Sequence, residues 1–360
     1  MRELRVRASG LLTPAPGGPR LTVSLDTLRL DRDTRGRVTG SRRVGEPVAQ
    51  EAAKDTRLLL TEAAARAAAA RAGLQSAVAT VRQWHGADGL PLARRTELLA
   101  RVETADGPVL LGTAAYGEPS ALVESLPWDE LAAPAEQSDT AAPPDDWRER
   151  PLVLHPSPAA VLIAGTAFSL TSRGGRATAH RLAGRRALPP LTLRDLPSPP
   201  AENGCDDLGN PAHGTTLVDA GRICPPSPLD EDIPIGRAVW DHDSAAFRPP
   251  QLIRLELSGP EAVPPPHAVE LMWCVEGLQR YHSDGTVRLQ CLARTADRPG
   301  VRFSVVLRGK PVHLLRQARG LAGPPMAVHS DSDVTTRSLV LAGAAELEGA
   351  GHAVVTVITP

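Results

Sequence analysis

The sequence predicts an α+β protein of two domains: a first sheet that carries one long helix, and a second domain built mostly of antiparallel strands. An alanine-rich segment at 47–73 is typical of a helix, and many short runs elsewhere alternate between apolar and polar residues. Residues 132–150 are rich in proline, alanine and acids without an apolar period, which is typical of a linker. We therefore expect an N-terminal domain at 1–131 and a C-terminal domain at 151–360.

Composition and charge indicate a globular protein and give no reason to expect a nucleic-acid-binding or membrane protein. The 360 residues are 42% hydrophobic and 22% charged, as is ordinary for a globular chain. The net charge of −1 gives no electrostatic reason to expect binding to nucleic acid or to an anionic membrane. No run approaches the roughly 18 apolar residues of a membrane span, and the amino terminus lacks the apolar run of a signal peptide. The four cysteines form no CxxC pair, so we expect a cytoplasmic protein with reduced thiols.

The first half is predicted to form strands around a single helix. The run LTVSLDTLRLDRD at 21–33 alternates, and its glycine-rich flanks indicate a strand in a hairpin. In the helix at 47–73, Pro47 suits the first turn and Gly73 suits a left-handed cap. Three further strands are predicted within the segments 76–84, 94–106 and 107–117.

The second half is predicted to contain one buried helix followed by strands. The apolar stretch 153–175 indicates a turn and then a helix, yet it carries no acid, no base and no nucleophile beyond a few hydroxyls. The proline- and glycine-rich segments that follow predict short strands. Alternating runs then predict an antiparallel sheet with little helix; they lie at 251–259, 267–281, 286–296, 301–312, 337–348 and 352–360.

Candidate ligand sites suggested by local motifs each have a plainer interpretation. The segment SRGGR at 172–176 could cradle a phosphate, but it lacks the spacing of a phosphate loop and a turn is favoured. Cys205, His213 and Cys224 could supply zinc ligands, although their spacing is looser than that of usual ligand pairs. Three acids could bind calcium, but capping of turns is the commoner use of aspartate; they are Asp206, Asp207 and Asp219.

His242 is the candidate general base. It lies between Asp241 and Asp243, and a carboxylate beside an imidazole can orient it for proton transfer. Neighbours in sequence rarely face each other, so a solvated loop histidine is the favoured interpretation. We keep His242 and Asp243 as site candidates. Trp273 and its neighbours lie in an alternating run and are expected in the core or at an interface.

An ordered series of motifs in the second half resembles a known family. A strand runs into a turn with Pro156 and then into an apolar helix, followed by LTLRDLP at 191–197, CDDLG at 205–209 and LVDAG at 217–221. This series is similar to the TldD/PmbA family of metallopeptidases and their paired subunits, and the closing VVTVITP is similar to the family's last strand. The resemblance assigns structural roles within the motifs to six residues: Pro156, Asp195, Pro197, Asp207, Gly209 and Gly221.

The resemblance also locates a missing catalytic site. Catalytic members of the family carry HExxxH on the helix, where two histidines bind zinc and the glutamate activates water. The corresponding positions here are Ala164, Gly165 and Ser169, which offer neither imidazole nor carboxylate. The family's third ligand, a cysteine near the carboxyl terminus, has no convincing match, since Cys291 is the last cysteine. The resemblance therefore implies no metal in this chain and a non-catalytic subunit of the TldE type.

Three functions follow as hypotheses. The first is a pseudo-peptidase subunit that pairs in a heterodimer with a zinc-bearing TldD-like metallopeptidase and helps to process unfolded or precursor peptides. The second is an enzyme with a relocated site at His242 or near Cys205 and His213. The third is a stand-alone peptide-binding or scaffold protein of the same fold. In the first case the zinc belongs to the partner, and this chain is not an enzyme by itself.

Overall fold

The fold is taken from a computed structural model. It describes residues 2–45, 48–86, 88, 90–104, 107–117, 122–131, 142–197, 205–224, 238–248, 254–275, 280–281, 285–329, 332–351 and 353–358. These residues form two large sheets and two large hydrophobic cores. The core beside the first sheet also includes Met272, Trp273 and Leu292 of the second sheet. The architecture is the predicted α+β arrangement, with an antiparallel first sheet beside a long helix and a second half rich in strands.

The first sheet has six described strands, all paired antiparallel in the order β3-β2-β1-β4-β5-β6. The elements are β1 (Arg2–Thr13), β2 (Arg20–Arg32), β3 (Val38–Arg43), α1 (Val48–Ala69), β4 (Gly73–His85), β5 (Pro91–Thr104), β6 (Gly107–Tyr116) and α2 (Trp128–Leu131). Helix α1 buries Ala52, Leu60 and Ala63 in the first core, at a spacing that places them on one helical face.

Helix α1 ends earlier than the glycine cap predicts. Arg71 takes the left-handed conformation with a φ of 57°, and the amide of Ala72 donates to the carbonyl of Ala67. Gly73 instead begins β4, where a Cβ would lie 2.9 Å from the carbonyl oxygen of Glu103. The glycine is therefore explained by close approach of two strands, and the expectation that it caps the helix is wrong.

The second sheet has twelve described strands, of which ten form the path β10-β9-β8-β13-β19-β7-β14-β16-β17-β20. The elements are β7 (Pro151–Leu154), α3 (Pro156–Thr171), α4 (Arg173–Arg181), β8 (Thr192–Leu196), β9 (Thr215–Asp219), β10 (Arg222–Ile223), β11 (Val239–Asp241), β12 (Ala246–Arg248), β13 (Arg254–Ser258), β14 (Val269–Cys274), β15 (Arg280–Tyr281), β16 (Val287–Thr295), β17 (Arg298–Gly309), α5 (Pro311–Arg316), β18 (Ala318–His329), β19 (Asp333–Gly343), α6 (Ala344–Gly349) and β20 (Ala353–Ile358). Strand β15 joins at β16, β18 joins at β19, and β11 pairs with β12 in a separate hairpin. Pairing is mostly antiparallel; β13 with β19 and β14 with β7 are parallel.

Helix α3 is the buried helix that the apolar stretch predicts. Leu162 and Ile163 are fully buried in the second core, together with residues of β14 and β19. Pro156 occupies the first turn, where its missing N–H costs nothing, and Ser172 ends the helix in an extended conformation. The helix therefore has a fixed start, next to the strand β7 that leads into it.

Three elements differ from the expectation for the second half, and one of them is α6, which occupies residues 344–348 of a run expected to form a strand. The segment expected to form a short strand after residue 175 is helical, because the Ser172 side chain accepts a hydrogen bond from the Gly175 amide and starts α4. The strand β18 was not expected, since it contains Pro324 and Pro325. Its pairing with β19 shifts register between Ala322 and Met326, and such an irregularity accommodates prolines that cannot donate to the ladder.

The predicted linker is described only in part. Residues 132–141 lie outside the described residues, whereas 142–150 turn along the second core and bury Trp147 there. Gly343 of β19 fits against the carbonyls of residues 148–150, since a Cβ there would lie 2.9–3.1 Å from them. The division into domains stays a prediction. Among the described residues, no helix combines the length and the apolar character needed to cross a bilayer.

Candidate functional site

The three positions that the resemblance assigns to HExxxH lie on α3. Gly165 is buried, Ala164 and Ser169 are half-buried, and the Ser169 hydroxyl donates to the Gly165 carbonyl at 2.7 Å. Helix α4 fits closely against this point, because a Cβ on Gly175 would clash with the carbonyl oxygen of Ser169. Ser169 thus lies at the contact between the two helices, and Ala164 packs against the second core.

A cavity lies beside the first turn of α3. Its volume is about 100 Å³, and its walls come from β6, α2, α3, β14 and β18. It therefore lies where the first sheet meets the second. The lining is mainly apolar and includes leucines, valines, Met326 and Trp273, and His155, His329 and Glu130 are its titratable groups. An apolar recess with a few polar groups is the usual form of a ligand site.

His155 is fixed at the entry to α3. Its backbone N–H donates to the carbonyl of Leu271 on β14, and its ring meets Trp273 edge-on with centroids 6.4 Å apart. Burial lowers the pKa of His155, and the charge of Arg294 adds to this, which outweighs the opposing carboxylates. The imidazole is therefore neutral near pH 7, and it can accept or donate one hydrogen bond without bringing a charge to the cavity.

His329, which lines the cavity from β18, contacts a buried charge network around Asp333. Its Nδ1 lies 2.7 Å from Oδ1 of Asp333. Arg95 donates two hydrogen bonds of 2.7 Å to the same carboxylate, and the Tyr116 hydroxyl donates a third of 2.5 Å. Burial opposes ionisation, yet His329 and Arg95 lower the pKa of Asp333 below its ordinary range. This carboxylate thus joins β5 and β6 of the first sheet to β18 and β19 of the second.

Glu97 completes the network on the other side of His329. Its Oε2 lies 3.6 Å from Nε2 of His329, and its other oxygen pairs with Arg95 and Arg82. Burial, together with the charges of Arg95 and Arg7, lowers the pKa of Arg82 to about 10. Arg82 and Arg95 therefore face two carboxylates, Glu97 and Asp333. The positive and negative charges of these four groups cancel, and both arginines already have a carboxylate partner.

Gly112 sets the distance between β6 and β18 at this site. A Cβ at position 112 would lie 1.9 Å from the carbonyl oxygen of His329, a backbone atom that has no room to move aside. We predict that Gly112→Ala lowers the free energy of unfolding by about 1–3 kcal/mol, because overpacking forces the strands apart. Urea titration followed by circular dichroism measures this loss.

The matched control for that variant is Gly40→Ala. Gly40 lies in β3 with no atom within 4 Å of a built Cβ, so this change should leave stability within about 0.5 kcal/mol of the parent. Equal stability of the two variants would contradict the close contact between β6 and β18.

The CDDLG motif forms a second junction between the sheets. Asp207 is buried and accepts hydrogen bonds from Arg5 at 2.9 and 2.5 Å and from Arg32 at 2.6 Å. Glu3 bonds both arginines from the other side, at 2.6 and 2.8 Å. The amide of Trp240 donates to Asp207 at 2.7 Å. The motif thus attaches strands β1 and β2 to the 205–211 loop and to the hairpin of β11 and β12.

The rest of the motif residues lie in turns and strands. The Asp206 carboxylate accepts amide hydrogen bonds from Leu208, Asn210 and Ala238, so it caps the loop. Gly209 has a φ of +83°, and a Cβ there would lie 2.3 Å from the Arg35 carbonyl. Gly221 also has a positive φ, +84°, in the turn between β9 and β10. Asp195 is buried on β8, which ends just before Pro197.

His242 lies away from the cavity. Its Nδ1 is 2.7 Å from the hydroxyl of Ser41, which also accepts the indole N–H of Trp240 at 2.8 Å. Asp243 is exposed and pairs with Arg43 at 3.0 Å. His242 is thus half-buried and bonded to Ser41 instead of being the solvated loop histidine that was favoured, and these contacts fasten the hairpin to β3.

The remaining local motifs do not come together as ligand sets. Among the described residues, no group of three or more His, Cys, Asp or Glu side chains is placed to hold a metal ion, and this includes Cys205, His213 and Cys224. The segment 172–176 starts α4, so the expected turn is wrong there. Trp273 lies in the core strand β14, as predicted, and it also lines the cavity.

Comparisons with known proteins identify the fold. No protein-family profile and no curated protein sequence matches this chain. The solved structure of TldE from Thermococcus kodakarensis is similar over 95% of both chains, with a TM-score of 0.63 and 14% identity. The chain has the TldE fold. A protein from Bacteroides thetaiotaomicron, proposed to be a modulator of DNA gyrase, is similar over 99% of this chain and 94% of its own, with a TM-score of 0.54 and 10% identity.

The TldE fold confirms the structural part of the resemblance drawn from the ordered motifs. The cavity within it was missed by sequence reasoning, because its lining is assembled from five separate elements. No local sequence motif marks Glu130, His155 or His329. The partners of His329 on β5 are more than 200 residues away in the chain. The proline after His155 was the nearest signal, since it marks the start of the helix.

Proposed function

We propose that this chain is a non-catalytic subunit that pairs with a TldD-like zinc metallopeptidase and binds the unfolded or precursor peptide that the partner cleaves. One observation carries the proposal: a chain with the TldE fold has Ala164, Gly165 and Ser169 where catalytic members of the resembled family have zinc ligands and a general base. A methyl group, a hydrogen atom and a hydroxyl bonded within its own helix cannot replace imidazole and carboxylate.

Peptide binding is supported by a sheet edge and by the cavity. Among the described strands, β20 has one side without a strand partner, and an extended peptide can add to such an edge through main-chain hydrogen bonds. The cavity at the start of α3 is a separate place where a peptide side chain can bind. Binding by main-chain contacts suits a subunit that must accept unfolded segments.

The proposal predicts a complex whose zinc and activity depend on the partner. We expect co-expression with a TldD-type protein encoded nearby to give a stable assembly containing both chains, as measured by native mass spectrometry. Zinc analysis should find the metal only when the partner is present. Hydrolysis of an unfolded peptide should require both chains.

A partner whose helix histidines are replaced by alanine is the control. It should still assemble with this chain while losing zinc and hydrolysis. Stoichiometric zinc and turnover in the purified chain alone would favour a relocated site instead. Failure to assemble with the correct partner, with no activity, would favour the stand-alone binding protein.

A further inference from the structure

We propose that the cavity at the start of α3 binds the amino-terminal residue of a peptide, with an aliphatic side chain inside the cavity and the free ammonium group beside Glu130. This inference rests on the proposed function as a peptide-binding subunit and adds the class of peptide. It follows from the size of the cavity, from its lining and from the charges around it.

Size and lining select an aliphatic group. A cavity of about 100 Å³ is smaller than the roughly 150 Å³ that accommodates benzene, so it suits a branched side chain of three or four carbons. Its walls include Leu110, Val161, Trp273 and Met326. Moving such a side chain out of water onto apolar walls supplies the favourable free energy.

The charges disfavour an anion. The described residues that line the cavity include neither arginine nor lysine. The nearest network cation, Arg95, already bonds Asp333 and Glu97. Both nitrogens of His329 face carboxylates, and burial keeps His155 neutral by lowering its pKa.

The start of α3 adds little attraction for an anion. A helix N-terminus usually offers several free amide N–H groups. Here Pro156 and Pro158 have none, and the amide of Ala159 donates to the His155 carbonyl. Within residues 156–159 this leaves the Ser157 amide as the remaining backbone donor, so a carboxylate or phosphate would find few partners.

Glu130 provides the complementary charge for an ammonium group. It is exposed, unlike most of the lining, and therefore lies at the opening of the cavity. Glu130 lies shortly after Trp128 on α2. The indole N–H of Trp128 donates to the Val123 carbonyl at 2.8 Å and holds the helix in place. An amino-terminal residue places its ammonium one bond from the Cα, close to the point where its side chain enters the cavity.

Ligand-observed NMR titrations of the full chain with three peptides test the inference. The probes are Leu-Gly-Gly amide, its N-acetyl derivative, and Asp-Gly-Gly amide. We expect the free leucyl peptide to bind, acetylation to weaken binding about two- to fivefold because an exposed ion pair is lost, and the aspartyl peptide to bind least. Equal binding of the acetylated peptide, stronger binding of the aspartyl peptide, or no binding of the leucyl peptide would each overturn it.

Two variants place the binding in the cavity. Ala327 is a half-buried lining residue, so Ala327→Leu should fill the space and weaken leucyl peptide binding about tenfold or more. Glu130→Gln, an exposed change, should abolish the preference for the free amine, whereas Glu51→Gln on α1 should preserve it. An unchanged preference in Glu130→Gln would contradict the inference even if Ala327→Leu did not fold.

The titrations are independent of assembly with the partner. A chain that forms the zinc-bearing complex but shows no preference for a leucyl amino terminus refutes this inference and leaves the proposed function standing. A chain that binds the peptide and does not assemble refutes the proposed pairing instead.

Discussion

Asp207→Ala is expected to lower the free energy of unfolding by about 3–5 kcal/mol, because it removes one member of a buried ion-pair network and leaves the others uncompensated. Arg5 and Arg32 would keep Glu3 as their shared carboxylate, so one positive charge would remain buried without a counter-charge. The amide of Trp240 would lose its acceptor as well. Urea titration measures the loss.

The electrostatics of Asp207 agree with such an effect. Burial alone would raise the pKa of its carboxyl, but the charge and hydrogen bonds of Arg5, the Trp240 amide and the charge of Arg32 lower it below its ordinary value. Burial alone would lower the pKa of Arg5, but Asp207 and Glu3 raise the pKa of Arg5 above its ordinary value. Each charge is therefore stabilised in the interior by the others, and removal of one affects all of them.

Asp243→Ala is the matched control. Asp243 also pairs with an arginine, Arg43, but the side chain of Asp243 is 74% exposed. Solvent screens such a pair, so its loss should cost no more than about 1 kcal/mol. If the two alanine variants lost equal stability, the buried junction between β1, β2 and the 205–211 loop would not have the role assigned to it.

The sequence predicts elements where one residue pattern dominates. The alanine content predicts α1, the alternation of apolar and polar residues predicts most of the strands, and continuous apolar character predicts α3. Prediction from the sequence fails where a tertiary contact determines the local structure. Arg71 rather than a glycine takes the left-handed position after α1, and the prolines of β18 are tolerated because a bulge interrupts the ladder. The sequence did not predict the Ser172 cap that starts α4, because the glycines beside Ser172 favour a turn.

The candidate site is harder to predict, for a geometric reason. Asp333 acquires its role from Arg95, which is 238 positions away, and from Tyr116, which is 217 positions away. No local pattern marks residues that meet only after two sheets have packed. His242 and Asp243, by contrast, attracted notice because they are adjacent in sequence, and in the fold their side chains have different partners.

Asp333→Ala is the second change for which we expect a loss of about 3–5 kcal/mol, since it leaves Arg95 and Arg82 facing Glu97 alone. The hydroxyl of Tyr116 would also lose its acceptor. Asp146→Ala is the control, because the Asp146 carboxylate pairs with Arg150 but is 64% exposed, so a loss below about 1 kcal/mol is expected. Denaturant titration of both variants gives the comparison.

The pH dependence of this loss separates charge from packing. The pKa of Asp333 is lower in the folded chain than the unfolded value of about 3.9, so the unfolded chain binds more protons in that range. Ionised Asp333 therefore stabilises the fold fully above about pH 5, and this stabilisation is lost as the pH falls toward the folded pKa. The difference in stability between the parent and Asp333→Ala should be largest near neutral pH and shrink toward pH ~3. A difference that stays constant with pH would assign the effect to packing instead of to the charge of Asp333.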